Sequence, residues 1–259
     1  MTTPARLDHV VVVVSSLTDA AARFSAAGFT ISLGGRHDAI PTENALVAFA
    51  DGAYIELLAA REPATRDELR ALRAGTGWDR HLKGVSAVAR RFLPLLAGPD
   101  GVADWALAAS ALAPRAAALR AVNVKAAGPV RMSRERPGGE RLEWELLLPE
   151  SALHPFWIAD RTPRERRVPN SPTATTHANG TTGIAAVRVR SASVPTAALE
   201  LGETLGALPR LIDGVTTLAL GEGRVEVVDG EPEGARGVTL AGCAALPAAL
   251  LELGVMPEV

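Results

Sequence analysis

The sequence predicts an α+β protein made of repeated βαβββ units, with the strands curled into a cup-shaped mixed sheet and the helices outside. Three observations lead there. The valine run of LDHVVVVV is β-branched and short, so it forms a strand, and a helix-spaced segment and three more strand-like runs follow it. The same order of elements returns after residue 100 and again after residue 182. Polar residues also interrupt otherwise apolar strands: His9 sits in the first strand of the first unit and Glu56 in the last. A buried imidazole or carboxylate must be hydrogen-bonded, paired or given a metal, so these two residues demand a reason.

In the first unit, Ser16 is placed to cap a helix through SSLTDAAARFSAAGF, with Asp19 three residues on and Gly28 placed to end it. Leu17, Ala20, Ala21 and Phe24 share one face of that helix. Strands are expected near Thr30–Leu33, Ala45–Phe49 and Tyr54–Ala59, with Gly34 and Gly35 forming a turn that carries His37. Alanine, leucine and arginine at helical spacing then predict a helical insertion near 61–98. The second unit runs from VADWALAAS through the helix LAPRAAALRAV to strands near Val130–Met132, Leu142–Leu148 and Phe156–Ile158, which lays Asp104-Trp105 over Asp8-His9. The Pro-, Thr- and Arg-rich stretch between Asp160 and Gly183 reads as a linker. We therefore divide the chain at residues 1–180, two units with the insertion, and 181–259, a third unit and a truncated fourth.

Composition narrows the function. The 259 residues suffice for one large domain or two small ones. The net charge of −2 gives no reason to propose nucleic acid or an anionic membrane as partner. Lys83 and Lys125 are the only lysines, so a Schiff-base lysine has just two candidates, and neither lies in a segment with the character of a site. A single cysteine, Cys243, excludes an intrachain disulfide and a multi-cysteine metal site. The amino-terminal segment has no signal-peptide h-region, and a cytoplasmic location is expected. No GxSxG elbow, Walker loop or HExxH helix occurs, and Gly221-Glu222-Gly223 reads as a hairpin turn.

These motifs, LDHVVVVV, GGRH, the asparagine of ENALVAF and DGAYIEL, resemble the glyoxalase-like domain family of the vicinal oxygen chelate superfamily. The likeness runs from about Leu7 to about Gly180, where FWIADRTP and HANGTTGIAAV agree in character. It implies that two units pair into a cup, and that one divalent metal (Zn, Ni, Mn or Fe) lies inside, held by residues of the first and fourth strands. Carried over, the ligands of the first unit are His9 and Glu56. In strand parity His9 faces the same way as Val11 and Val13, and Glu56 the same way as Tyr54 and Leu58. The second unit departs from the pattern: Trp105 stands in the place of the second histidine, and Phe156–Ile158 carry no carboxylate. Glu226 aligns with Glu56 and becomes a third ligand only if the third unit packs against the first.

Two readings of His9 with Glu56 stand side by side: metal ligation or acid–base chemistry in the cup, and a mutual hydrogen bond that closes the sheet. His37 and Glu56 are the candidate catalytic groups. Asn44, Tyr54, Trp105, Phe156 and Trp157 are the candidate substrate contacts, and Trp105 is expected to line the cup. Trp144 falls on the strand face opposite Glu143 and Glu145 and reads as core. Arg161, Arg164, Arg166 and Arg167 read as a solvated basic loop, and His81, His154 and His177 as structural. The resemblance implies a metal-dependent lyase or isomerase acting on a substrate with adjacent oxygens. The alternative is a metal-free binding protein of the drug-sequestration type with an aromatic-lined cup. A small-molecule ligand is the expected partner in both cases, and a homodimer is a further expectation from unit pairing in the superfamily.

Overall fold

A computed structural model describes residues 5–136 and 138–258. The first unit comprises β1 (Arg6–Val13), α1 (Leu17–Ala26), β2 (Ser32–His37), β3 (Thr42–Ala48) and β4 (Tyr54–Ala60). Helices α2 (Pro63–Ala74), α3 (Trp78–Gly84) and α4 (Ala87–Leu96) follow. The second unit comprises β5 (Gly101–Ala108), α5 (Leu112–Ala121), β6 (Ala126–Glu135), β7 (Arg141–Pro149) and β8 (Phe156–Asp160). Two single-turn helices, α6 (Arg164–Arg167) and α7 (Pro172–Thr175), lead to the third unit. That unit is β9 (Gly183–Ser191), α8 (Val194–Leu205), β10 (Arg210–Ile212), β11 (Val215–Leu220) and β12 (Gly223–Asp229). The chain closes with β13 (Gly234–Ala241), α9 (Ala248–Leu251) and β14 (Val255–Pro257).

The cup is a closed eight-stranded barrel in the order β1-β4-β3-β2-β6-β7-β8-β5. Its halves join at two seams, β1 against β5 and β2 against β6, both antiparallel. Closure leaves no free edge within the barrel. The second seam depends on Gly35, which has φ +135° and where a Cβ would come within 2.1 Å of the Glu135 carbonyl oxygen. Only glycine permits that approach, so GGRH belongs to a strand and not to the expected turn.

Strand parity sorts the side chains. Val10, Val12, Ile55, Leu57, Trp105, Leu107 and Trp157 point outward into a core shared with α1, α5 and the second sheet. Val11, Val13, Leu58, Ala106, Met132, Trp144, Leu146, Phe156 and Ile158 belong to the inner cluster, which also takes Leu69, Val88, Phe92, Leu93 and Leu96 from the insertion. The insertion therefore packs its apolar faces against the inner cluster of the barrel. Arg66, 3 % exposed, fastens it by donating to the carbonyls of Leu96 and Gly98 at 2.8 Å and pairing with Asp100 at 2.6 Å.

The carboxy-terminal sheet runs β10-β11-β12-β9-β13-β14. Parallel β9/β12, antiparallel β9/β13 and parallel β13/β14 reproduce the pairings of β1/β4, β1/β5 and β5/β8. Counterparts of β6 and β7 are absent from this sheet among the described residues, so it is an open half-barrel. Glu226 lies opposite Arg188 in register and pairs with Arg188 at 2.8 Å and Arg224 at 2.9 Å, which commits it to the second sheet. No helix among the described residues is long and apolar enough to cross a membrane.

Candidate functional site

His9, Tyr54 and Glu56 reach the barrel lumen because their strands pair in parallel with His9 opposite Tyr54, and alternate residues face inward. Neighbouring β3 brings Asn44 to the same side, and β2 ends in His37. These five side chains, with Arg134, Arg167, Trp144 and Phe156, line a cavity of about 40 Å³, measured as space open to the centre of a water molecule. That space suits about three waters, or a molecule of a few heavy atoms.

The polar end is a chain of hydrogen bonds and close charged contacts. A register shift between Leu7 and His9 leaves Asp8 without a partner on β5, and this bulge buries it completely beside His9. The Asp8 carboxylate accepts from His9 Nδ1 at 2.8 Å, leaving His9 Nε2 facing Glu56 Oε2 at 3.5 Å. The other carboxylate oxygen, Oε1, accepts from the Asn44 amide and lies 3.8 Å from His37 Nε2. His37 Nδ1 is 2.9 Å from Thr42 Oγ1. Asn44 Oδ1 accepts from Arg134 at 3.0 Å, and Arg134 also donates to the Arg167 carbonyl at 2.8 Å. Arg167 donates to Tyr54 Oη at 2.7 Å and pairs with Asp8 and Asp160, while Arg164 pairs with Asp8 and Asp160.

This chain sets the protonation states. Burial alone would raise the Glu56 carboxyl, but the imidazoles of His9 and His37, the Asn44 amide and Arg134 hold it below the usual carboxylate range, so it is ionised at neutral pH. Burial lowers His37 to about 4 despite the nearby Glu56 charge, so its ring is neutral. Asp8 is held well below its ordinary value because Arg167, the His9 bond and Arg164 outweigh burial. Tyr54 is pushed up by burial and stays protonated. Burial pulls the Arg134 guanidinium down, against the opposing pull of the Glu56 carboxylate.

The far end of the cavity is apolar, walled by Ile40, Leu58, Met132, Leu146 and Ile158, with Phe92 entering from α4. Phe156 packs edge-on against His9 at 5.3 Å and against Phe92 at 5.6 Å, and Trp144 packs edge-on against His37 at 5.9 Å.

The structure thus brings together His9, His37, Asn44, Tyr54, Glu56 and Phe156 from the sequence reading. It does not bring Trp105 or Trp157. Trp105 pairs in register with outward-facing Val10, and Ala106 is the residue opposite His9, so both tryptophans lie in the outer core. His37 is 6 % exposed at a strand end, not on a solvated turn. Sequence reasoning missed Asp8, Trp144, Arg134 and Arg167. Trp144 had the right signal, because its alternation with Glu143 and Glu145 marks one face, but the face it marks is the lumen. Arg167 lies in the stretch read as solvated loop and is 3 % exposed. His177 is structural: it accepts from the Thr30 amide at 3.1 Å and donates to the Ala48 carbonyl at 3.1 Å.

Two paired βαβββ units closed into one barrel around an inward histidine and glutamate are the arrangement that the resemblance to the vicinal oxygen chelate superfamily implies. The chain belongs to the glyoxalase-like domain family, whose model matches residues 7–205. Among solved structures, a hypothetical protein from Staphylococcus aureus is similar at 17% identity and a TM-score of 0.69, covering 93% of this chain and 92% of that one. A mutant of 4-hydroxymandelate synthase from Streptomyces coelicolor is similar at 11% identity and 0.53, covering 92% and 71%. An Mn(II)-bound glyoxalase from Novosphingobium aromaticivorans is similar at 14% identity and 0.52, covering 93% and 66%. At these identities the likeness concerns the fold. No protein of curated function matches the chain.

Proposed function

We propose that the barrel lumen is the reaction site of a lyase or isomerase acting on a small molecule with adjacent oxygens. One observation carries this reading: an ionised, buried carboxylate, Glu56, stands between two imidazoles at the polar end of a cavity large enough for only a few heavy atoms. A desolvated carboxylate of this kind is suited to take a proton from carbon next to a carbonyl. Glu56 can return that proton to another atom of the same substrate, which is the requirement of an isomerisation, while the neutral His37 ring, 3.8 Å from Glu56, is placed to hydrogen-bond the substrate. Asn44 fixes the carboxylate, and the Tyr54 hydroxyl, protonated and oriented by Arg167, is free to donate to a substrate oxygen. Phe92, Trp144 and Phe156 exclude water from the bound molecule.

A divalent ion such as Zn, Ni, Mn or Fe fits the donors in kind. Glu56 is ionised, and Asp8 anchors His9 Nδ1 in the arrangement that backs metal-bound histidines. His9 and Glu56 would hold it, with His37 the nearest further donor, although no group of three such side chains stands at metal-binding spacing among the described residues. When bound, the ion would polarise the two adjacent oxygens of the substrate and stabilise the developing anion. The alternative of drug sequestration draws on the aromatic wall of Trp144 and Phe156. The cavity volume weighs against an occupant of drug size.

The test is solvent deuterium exchange, followed by NMR, into small hydroxy- and oxo-compounds. Wild-type protein is expected to accelerate exchange next to a carbonyl, and Glu56→Gln to lose about a hundredfold or more of that rate. No acceleration across the compounds, or an unaffected Glu56→Gln, would overturn the reading. Elemental analysis of protein purified without chelators or an affinity metal column, beside His9→Ala, decides the metal separately.

A further inference from the structure

Among the described residues, the deeply buried arginines fall into two groups. Arg66 and Arg167 each contact a carboxylate, from Asp100 and from Asp8 with Asp160 respectively. Arg134 is equally buried, 2 % exposed, and contacts none. Its hydrogen bonds to the Asn44 side-chain oxygen and the Arg167 carbonyl both go to neutral acceptors. Its Nε is buried with no hydrogen-bond partner. A guanidinium has five N–H groups, so most of its donor capacity is unspent. Burying a cation with no carboxylate in direct contact is costly, and buried donors left unspent in this way mark a place for an anion.

The position fits that role. Arg134 lines the same cavity as Glu56 and His37, and it reaches there because Gly34, on the facing strand, has no side chain: a Cβ at that position would come within 2.9 Å of an Arg134 terminal nitrogen. The Glu56 charge is felt at Arg134, but the two make no direct ion pair, because Asn44 stands between them, donating to one and accepting from the other.

We propose that Arg134 receives the carboxylate of the substrate, and that the substrate is a short 2-hydroxy- or 2-oxo-carboxylic acid. This rests on the reading of the lumen as the substrate site, and it names the substrate class. Carboxylate is the preferred oxyanion because guanidinium and carboxylate are planar and match in geometry. The cavity limits the acid to a few heavy atoms, and the carboxylate with the adjacent 2-oxygen supplies the two neighbouring oxygens that the lumen chemistry requires. The hydrocarbon remainder faces Trp144, Leu146 and Phe156.

Isothermal titration with 2-hydroxypropanoate, its neutral amide and the neutral vicinal compound dihydroxyacetone tests the assignment, on full-length protein with and without a chelator. The acid is expected to bind at least about tenfold more tightly than its amide, as loss of a charge-assisted hydrogen bond requires. Arg134→Lys is expected to weaken the acid about tenfold or more while leaving the amide unchanged, because it retains charge and loses the planar fork. Arg134→Gln removes a buried unpaired charge, so it is expected to remain folded by circular dichroism and to bind acid and amide alike. Equal binding of acid and amide by the wild type, or an unaffected Arg134→Lys, overturns the proposal. Binding of dihydroxyacetone but not of the acid overturns the carboxylate assignment while the lumen stands as the substrate site. Absence of binding by all three compounds, together with no deuterium exchange, overturns both.

Discussion

His37 is held neutral at a cost that appears in acid. Its ring titrates at an ordinary 6.5 in the unfolded chain and at about 4 in the fold, because burial disfavours the imidazolium. Between those values the unfolded chain binds a proton that the folded chain refuses, so stability is full above pH 6.5 and falls as the pH drops toward 4. His154, lowered to about 4 by burial and by Arg91, acts in the same direction. The His37 share is on the order of 3 kcal/mol. His37→Asn is expected to flatten the acid limb of a denaturation-against-pH profile, and an unchanged limb would contradict the protonation state assigned to it. The tryptophans give a second residue-level prediction. Ligand-induced fluorescence change should survive Trp105→Phe and Trp157→Phe, which alter outward-facing rings, and vanish in Trp144→Phe, the lumen ring.

At the level of elements, much of the barrel is legible in the chain. Period-two parity put His9 beside Val11 and Glu56 beside Tyr54, and strands β1 and β4 present them to one lumen. The errors share a cause, since each required knowledge of how two distant strands meet. Aligning Asp104-Trp105 with Asp8-His9 ignored the bulge at Asp8, and a one-residue shift turns a side chain to the other face of a sheet. Arg134 is one arginine in a strand with others, and only the β2/β6 seam brings it to Asn44. The two glycines were noticed for turn chemistry, yet they serve close approach: at Gly34 a Cβ would lie 1.9 Å from Asn44 Oδ1. Gly34→Ala is therefore expected to cost about 1–3 kcal/mol as overpacking, and to displace the amide that holds Glu56. Chemical denaturation beside the exchange assay checks both effects, and Gly34→Ala with wild-type stability would show that the seam has slack.

The whole molecule repeats one scheme of strand pairing twice and completes it once. In the amino-terminal barrel, eight strands enclose a lumen in which Glu56 is withheld from any direct arginine contact. In the carboxy-terminal half-barrel, the glutamate in the corresponding strand is neutralised by Arg188 and Arg224, and the six strands do not close into a barrel. The half-barrel instead backs the barrel through the shared outer core, where Val187, Val189 and Val238 join Val10 and Trp105. Duplication here has produced a buttress and not a second chamber. The countable consequence is stoichiometry: titration of the folded chain should saturate at one equivalent of ligand, and a second equivalent of comparable affinity would mean that the half-barrel also receives a guest.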